Sequence, residues 1–65
     1  MLAENIKKYR KKLGITQEEL ARNSDLSYNT IIKLEQKTIT DPRMVTLIKL
    51  AKGLEISLDE LVGRT

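Results

Sequence analysis

Three side chains on one short stretch carry most of the chemistry open to this chain: Asn29, Lys33 and Gln36. At about 100° per residue on a helix they fall within roughly 60° of one another, on a single face. Asn can pair bidentately with adenine and Lys can donate to guanine O6 and N7, so a face of this kind suits the edges of base pairs. Other chemistry is poorly supplied. The 65 residues contain no histidine and no cysteine, which removes imidazole and thiolate metal sites, a disulfide framework and the usual proton shuttle. The acidic pairs Glu18-Glu19 and Asp59-Glu60 stand in expected first helical turns, where dipole complementarity accounts for them. No phosphate-cradling glycine loop is present. Neither an enzyme nor a cofactor nor a bound metal is expected, and no small-molecule ligand is evident.

The element that must present this face is a helix over about residues 28–36, capped by Ser27. Taking Asn29 as zero, Ile31 and Leu34 lie near 200° and 140°, so the core is on the far side, and Leu26 packs just before the helix. Ile32 lies near minus 60° and Tyr28 near minus 100°, along one flank. A merely solvated face would hold the same Asn, Lys and Gln; an apolar Ile32 on the solvent flank favours a covered surface, which a thymine methyl would supply.

The rest of the chain reads as four more helices. Leu2, Ile6, Tyr9 and Leu13 form an apolar stripe on a first helix over about 2–12, which Gly14 ends. Thr16 and Glu19 make a capping box that opens a second helix at Gln17, and Asn23-Ser24-Asp25 turns the chain into the third. Two short helices joined by a tight turn, the second opening on small polar residues, form the pattern of a DNA-reading helix-turn-helix. Asp41-Pro42 reads as a cap followed by proline at the first position of a fourth helix, whose inward residues are Met44, Leu47, Ile48 and Ala51 and which Gly53 stops. Ser57-Leu58-Asp59-Glu60 is a second capping box, opening a fifth helix. Nothing alternates with period two, so strands are not expected.

Twelve Lys plus Arg against nine Asp plus Glu give a net charge of +3, a bias toward an anionic partner. It is uneven: residues 1–12 hold five cations and one carboxylate. The Lys7, Lys8, Lys11 and Lys12 cluster reads as a solubilising face that steers rather than binds. No run approaches the roughly 18 apolar residues of a membrane span. One all-α domain over residues 1–65, located in the cytoplasm, is the expectation.

Leu13-Gly14-Ile15-Thr16-Gln17, Glu19-Leu20-Ala21, Leu26-Ser27, Ile31, Leu34-Glu35, Pro42, Leu47, Leu50-Ala51, Leu54, Ile56 and Leu61 together resemble the helix-turn-helix domain of phage repressors, Cro proteins and the wider bacterial xenobiotic-response-element-type regulators. The likeness runs from about residue 2 to 62. It implies a five-helix, repressor-like domain that binds double-stranded operator DNA as a two-fold dimer, with helix three in the major groove. Position by position, it implies base contacts from Tyr28, Asn29 and Lys33, joined by Ile32. Phosphate contacts would come from Gln17 at the amino end of helix two and from Gln36; Ser27 either caps and touches phosphate or only caps, and Arg43 meets the backbone or the narrow minor groove. It also implies a partly buried structural ion pair between Arg10 and Glu35, which would lock helix one to the recognition helix. Many members carry glycine where this chain has Asp25 and Lys37.

In helix five, Leu58, Leu61 and Val62 offer more apolar surface than a short terminal helix needs. Leu58 or Val62 is therefore expected to form a small self-contact, leaving the free domain largely monomeric and pairing mainly on DNA. The favoured reading is a sequence-specific transcriptional regulator, a repressor. The alternative, from a different class, is a protein-interaction module of antitoxin or bridging-factor type on the same fold.

Overall fold

The structure, a computed structural model, describes residues 2–63. Five helices follow one another: α1 Leu2–Leu13, α2 Gln17–Ser24, α3 Tyr28–Glu35, α4 Met44–Leu54 and α5 Leu58–Val62. Among the described residues there is no strand, and no helix is long and apolar enough to cross a membrane. The fold is all-α, as the hydrophobic period requires.

Helices α2, α3 and α5 begin where the sequence offers an oxygen to an orphan amide. Thr16 Oγ1 accepts from Glu19 N at 3.1 Å, while Glu19 Oε1 accepts from Thr16 N at 2.8 Å. That bond to the Thr16 backbone holds the Glu19 carboxyl below its ordinary range. Ser57 and Glu60 repeat the box at 3.1 and 3.0 Å, and Ser27 Oγ accepts from Thr30 N at 3.1 Å. Gly14 ends α1 at φ 71, a left-handed conformation that costs glycine nothing. Asp25 and Lys37 take the same conformation, at φ 55 and 65.

Ile6, Leu20, Ile31, Leu34, Leu50, Leu54 and Leu61 are fully buried and form one core with Ala21 and Ala51. Every helix contributes, and Asn5 Nδ2 donates to Leu61 O at 2.9 Å to close α5 onto α1.

Four expectations need correction. Asp41 does not cap α4 and Pro42 is not its first residue. Residues 41–43 stay outside the helix, and Arg43 is the N-cap without a side-chain bond. The extended backbone at Arg43, φ −68 and ψ 157, places the helix start two residues later than Pro42 alone suggests. Met44 and Ile48 are not inward; at 61% and 43% exposure they project from the molecule, and Leu47, Leu50, Ala51 and Leu54 make the packed side of α4. Leu13, at the end of α1, is exposed rather than part of the buried stripe. Finally, Gly53 does not stop α4, which runs on to Leu54 and turns at Glu55 with φ 59.

Gly53 has another use. It is buried where α4 crosses α2, and a Cβ there would lie 3.0 Å from Ser24 Cβ and 3.1 Å from Ser24 Cα. The bare backbone lets the two helices close on each other. Beside it, Ser24 Oγ is buried without a hydrogen-bond partner. Gly53→Ala should therefore lower stability by about 1–3 kcal/mol through overpacking, even though alanine is worth about 1 kcal/mol more than glycine inside a helix. Ser24→Ala should leave stability unchanged or raise it by about 1 kcal/mol, since no bond is lost with the hydroxyl. Thermal unfolding followed by circular dichroism separates the two; a Gly53→Ala protein melting above the parent would disprove the close-approach reading.

Candidate nucleic-acid interface

The candidate surface is built on α3. Ile31, Leu34 and Glu35 turn inward and are buried, while Tyr28, Asn29, Lys33 and Gln36 are exposed and Ile32 is half-buried. Gln36 falls just past the last helical residue, one position earlier than expected, as its C-cap. Lys37 then takes its left-handed turn, and Thr38 N donates to Lys33 O at 2.8 Å, which closes the end of the helix. Among the described residues, the side chains of Asn29, Lys33 and Gln36 make no internal hydrogen bond or ion pair. Their donors are available to an outside partner.

What holds α3 in place is a knot of charge behind this face. Arg10 Nε donates to Glu35 Oε2 at 2.7 Å and Arg10 Nη2 to Glu35 Oε1 at 3.2 Å, a bidentate pair. Arg10 Nη1 also donates to Ile15 O at 3.1 Å, and Gln17 Nε2 donates to Glu35 Oε1 at 3.1 Å. The side chains are 15% and 3% exposed for Arg10 and Glu35, so the carboxylate is effectively buried with three donors around it. One acid thereby ties together α1, the amino end of α2 and α3. A second tie, Lys37 Nζ to Glu4 Oε2 at 2.6 Å, joins the turn after α3 to the first turn of α1 and holds the Glu4 carboxyl at about 2.

The remaining expected site residues are dispersed around this face. Gln17, expected to meet a phosphate with its side chain, has its amide donor engaged by Glu35 instead, which leaves the α2 backbone amides at that spot. Ser27 Oγ is taken up by its cap and lies 2.8 Å from Thr30 Oγ1. Arg43 is exposed and shares a shallow groove with Thr30, Asp41, Pro42 and Thr46, along one edge of α3. On the opposite edge, Tyr28 lines a second groove with Arg22 and Leu26. Thr30 and Arg22 were not singled out from sequence. Thr30 falls about 100° from Asn29, toward the core side, and Arg22 belongs to α2, so only the packing of the helices brings them to the rim. Leu58 and Val62 lie on α5, which packs against α1 and α4. No group of carboxylates among the described residues is arranged to hold a metal ion.

Two short helices meeting at the Asp25 turn, with the second carrying a free polar face, define a helix-turn-helix DNA-binding domain. A family model described as helix-turn-helix matches residues 6–61. Over 64 residues the chain is 39% identical to "Control protein C.SmaI" of Serratia marcescens, covering 98% of this chain and 75% of that protein. No solved structure matches. The chain belongs to this helix-turn-helix family, of the xenobiotic-response-element type to which the phage repressors and Cro proteins are similar, and it is a DNA-binding regulator of transcription.

Removing one partner of the knot should strand the other's charge in the interior. Arg10→Ala is expected to cost about 3–5 kcal/mol, enough to leave so small a domain close to unfolding. Replacing Arg10 by Met and Glu35 by Leu together should recover much of that loss, because the desolvation penalty disappears with the charges. Denaturant titration of the two proteins decides it: equal losses from the single and the double change would show that packing, not charge, is what was removed.

Proposed function

We propose that residues 1–65 act as one DNA-binding domain that reads an operator sequence and represses transcription by occupying it. The observation that supports this best is the exposed Asn29, Lys33 and Gln36 face of α3, free of internal bonds and opposite a fully buried Ile31 and Leu34. With α3 in the major groove, Asn29 and Lys33 would read base edges, flanked by Tyr28 and Ile32, whose apolar surface suits a thymine methyl. Arg43, Gln36, Ser27 and the amino end of α2 at Gln17 would meet phosphates on either side, the last through free amides and the helix dipole. The name of the Serratia relative, a control protein, agrees with a regulatory role. No enzymatic step is assigned to the chain, and its place is with the DNA, in the cytoplasm.

Operators of this kind are read by two copies related by a two-fold axis. The apolar surplus available for such pairing is larger than helix five alone offered. Met44, Val45 and Ile48 are 61%, 54% and 43% exposed on α4, and at positions i, i+1 and i+4 they share one side of it. Leu58 of α5 is exposed as well, while Val62 is half-buried and contributes less. We therefore assign the self-contact to the outer side of α4 with Leu58 at its edge. It is small, so pairing should depend on two adjacent half-sites raising the effective concentration.

Selection of bound duplexes from random DNA should return a two-fold related site with half-sites about 10 bp apart. On that duplex Asn29→Ala should cost about 1–3 kcal/mol and relax preference at one base pair, whereas loss of Arg43 should weaken all sequences alike. Unchanged base preference in Asn29→Ala would remove it from the reading face. Ile48→Glu should abolish cooperative filling of the full site while half-site affinity stays within about two-fold. Titrations of full and half sites in parallel check this, and cooperativity surviving Ile48→Glu would move the contact elsewhere.

A further inference from the structure

The four lysines of α1 are not one patch. Measured around the helix from the buried Ile6, Arg10 lies near 40°, Lys7 near 100°, Lys11 near 140° and Glu4 near 160°, while Lys12, Asn5 and Tyr9 lie near 240°, 260° and 300°, with Lys8 between at about 200°. The bonds of the two flanks go to different helices. On the first, Arg10 binds Glu35 and Glu4 binds Lys37, both at the end of the recognition helix. On the second, Asn5 binds Leu61 O of α5, and Lys8 and Lys12 fold over the Tyr9 ring at 5.1 and 5.6 Å from its centroid. Lys7 and Lys11 therefore border α3, and Lys8 and Lys12 face away toward α5.

The carboxylates near the first flank are already committed: Glu35 to Arg10 and Gln17, Glu4 to Lys37. Among the described residues, Lys7 and Lys11 form no ion pair. They stand one turn apart, about 6 Å along the helix axis. Lys7 is half-buried and Lys11 exposed, so the stem of Lys7 lies along the protein with its ammonium free to reach outward. The same flank leads, through Arg10 and Glu35, to Gln17 at the amino end of α2, the spot assigned to a phosphate above. Arg10 thereby links this flank of α1 to the amino end of α2, through Ile15 O and the carboxylate it shares with Gln17.

We infer that Lys7 and Lys11 extend the phosphate track of the operator beyond the helix-turn-helix, each meeting one backbone phosphate, while Lys8 and Lys12 take no part. This rests on the DNA-reading assignment of α3. The two lysine pairs carry equal charge on one helix, so a purely diffuse field would make them equivalent. A contact makes them different.

The test compares two double variants, Lys7→Gln with Lys11→Gln and Lys8→Gln with Lys12→Gln, by fluorescence anisotropy on the selected duplex over a series of salt concentrations. Each phosphate contact adds about 0.9 to the slope of log affinity against log salt. The first double should lose nearly two from that slope and bind about ten-fold or more weakly at low salt. The second should keep the parent slope and lose no more than about three-fold in affinity. Lys7→Arg with Lys11→Arg should restore the slope, and melts of all variants by circular dichroism check that the helix persists. Equal losses from the two Gln doubles, or no change in the first, would overturn the inference while leaving α3 as the reading helix. A parent that binds no duplex would instead overturn the reading on which it rests, and the inference with it.

Discussion

A single buried carboxylate governs how this domain is put together. Glu35 sits at the end of α3, nearly without access to water, and would cost several kcal/mol there as a lone charge. It is tolerated because the Arg10 guanidinium meets it in a fork and Gln17 adds a third donor. The donors come from α1 and α2 and the acid from α3, so satisfying one carboxylate sets the positions of three elements relative to one another. An apolar residue at Glu35 could fill the space but would not specify which side chains of α1 and α2 must face it. Register, more than net stability, is what such a pair provides.

The consequence reaches the surface. The polar face of α3 has no support of its own, since among the described residues the side chains of Asn29, Lys33 and Gln36 form no hydrogen bond or ion pair. Its direction follows from the inward side, where Ile31 and Leu34 seat in the core and Glu35 is pinned. The turn after α3 is tied down separately by Lys37 and Glu4, and the turn before it by the Ser27 cap. Both ends of a two-turn helix are thus held by bonds, which suits a surface meant to meet a rigid duplex.

Much of this is legible in the amino-acid sequence. Both capping boxes, the Gly14 terminus and the inward Ile31 and Leu34 follow from local rules, because cap chemistry and helical period act over three or four residues. The turn at Asp25 follows from the Asn23-Ser24-Asp25 cluster, whereas Lys37 is marked only by the glycine that many family members carry there. What escaped depends on neighbours far along the chain. Gly53 looked like a stop because glycine often ends helices, yet its role comes from Ser24, on another helix. Met44 and Ile48 kept the helical period, but a helix packed along only one side leaves part of any apolar stripe outside, and Leu50 and Leu54 took the inner places. Asp41-Pro42 carried the right residue types for a helix start; the extended backbone at Arg43 moved that start downstream. At the candidate interface the reading face was visible as a set of angles, whereas the capture of the Gln17 amide by Glu35 was not, since nothing in the spacing of the two residues announces it.

The freedom of the reading face has an evolutionary side. Side chains that support no internal bond can be exchanged without loosening the fold, so replacements at Asn29, Lys33 or Gln36 are screened only by the DNA they meet. Glu35, between Lys33 and Gln36 in the chain, has no such latitude, because changing it disturbs three helices together. A lineage built on this frame can therefore acquire new target sites one substitution at a time, through intermediates that all remain folded, and paralogues can diverge in the genes they govern while sharing an unchanged scaffold.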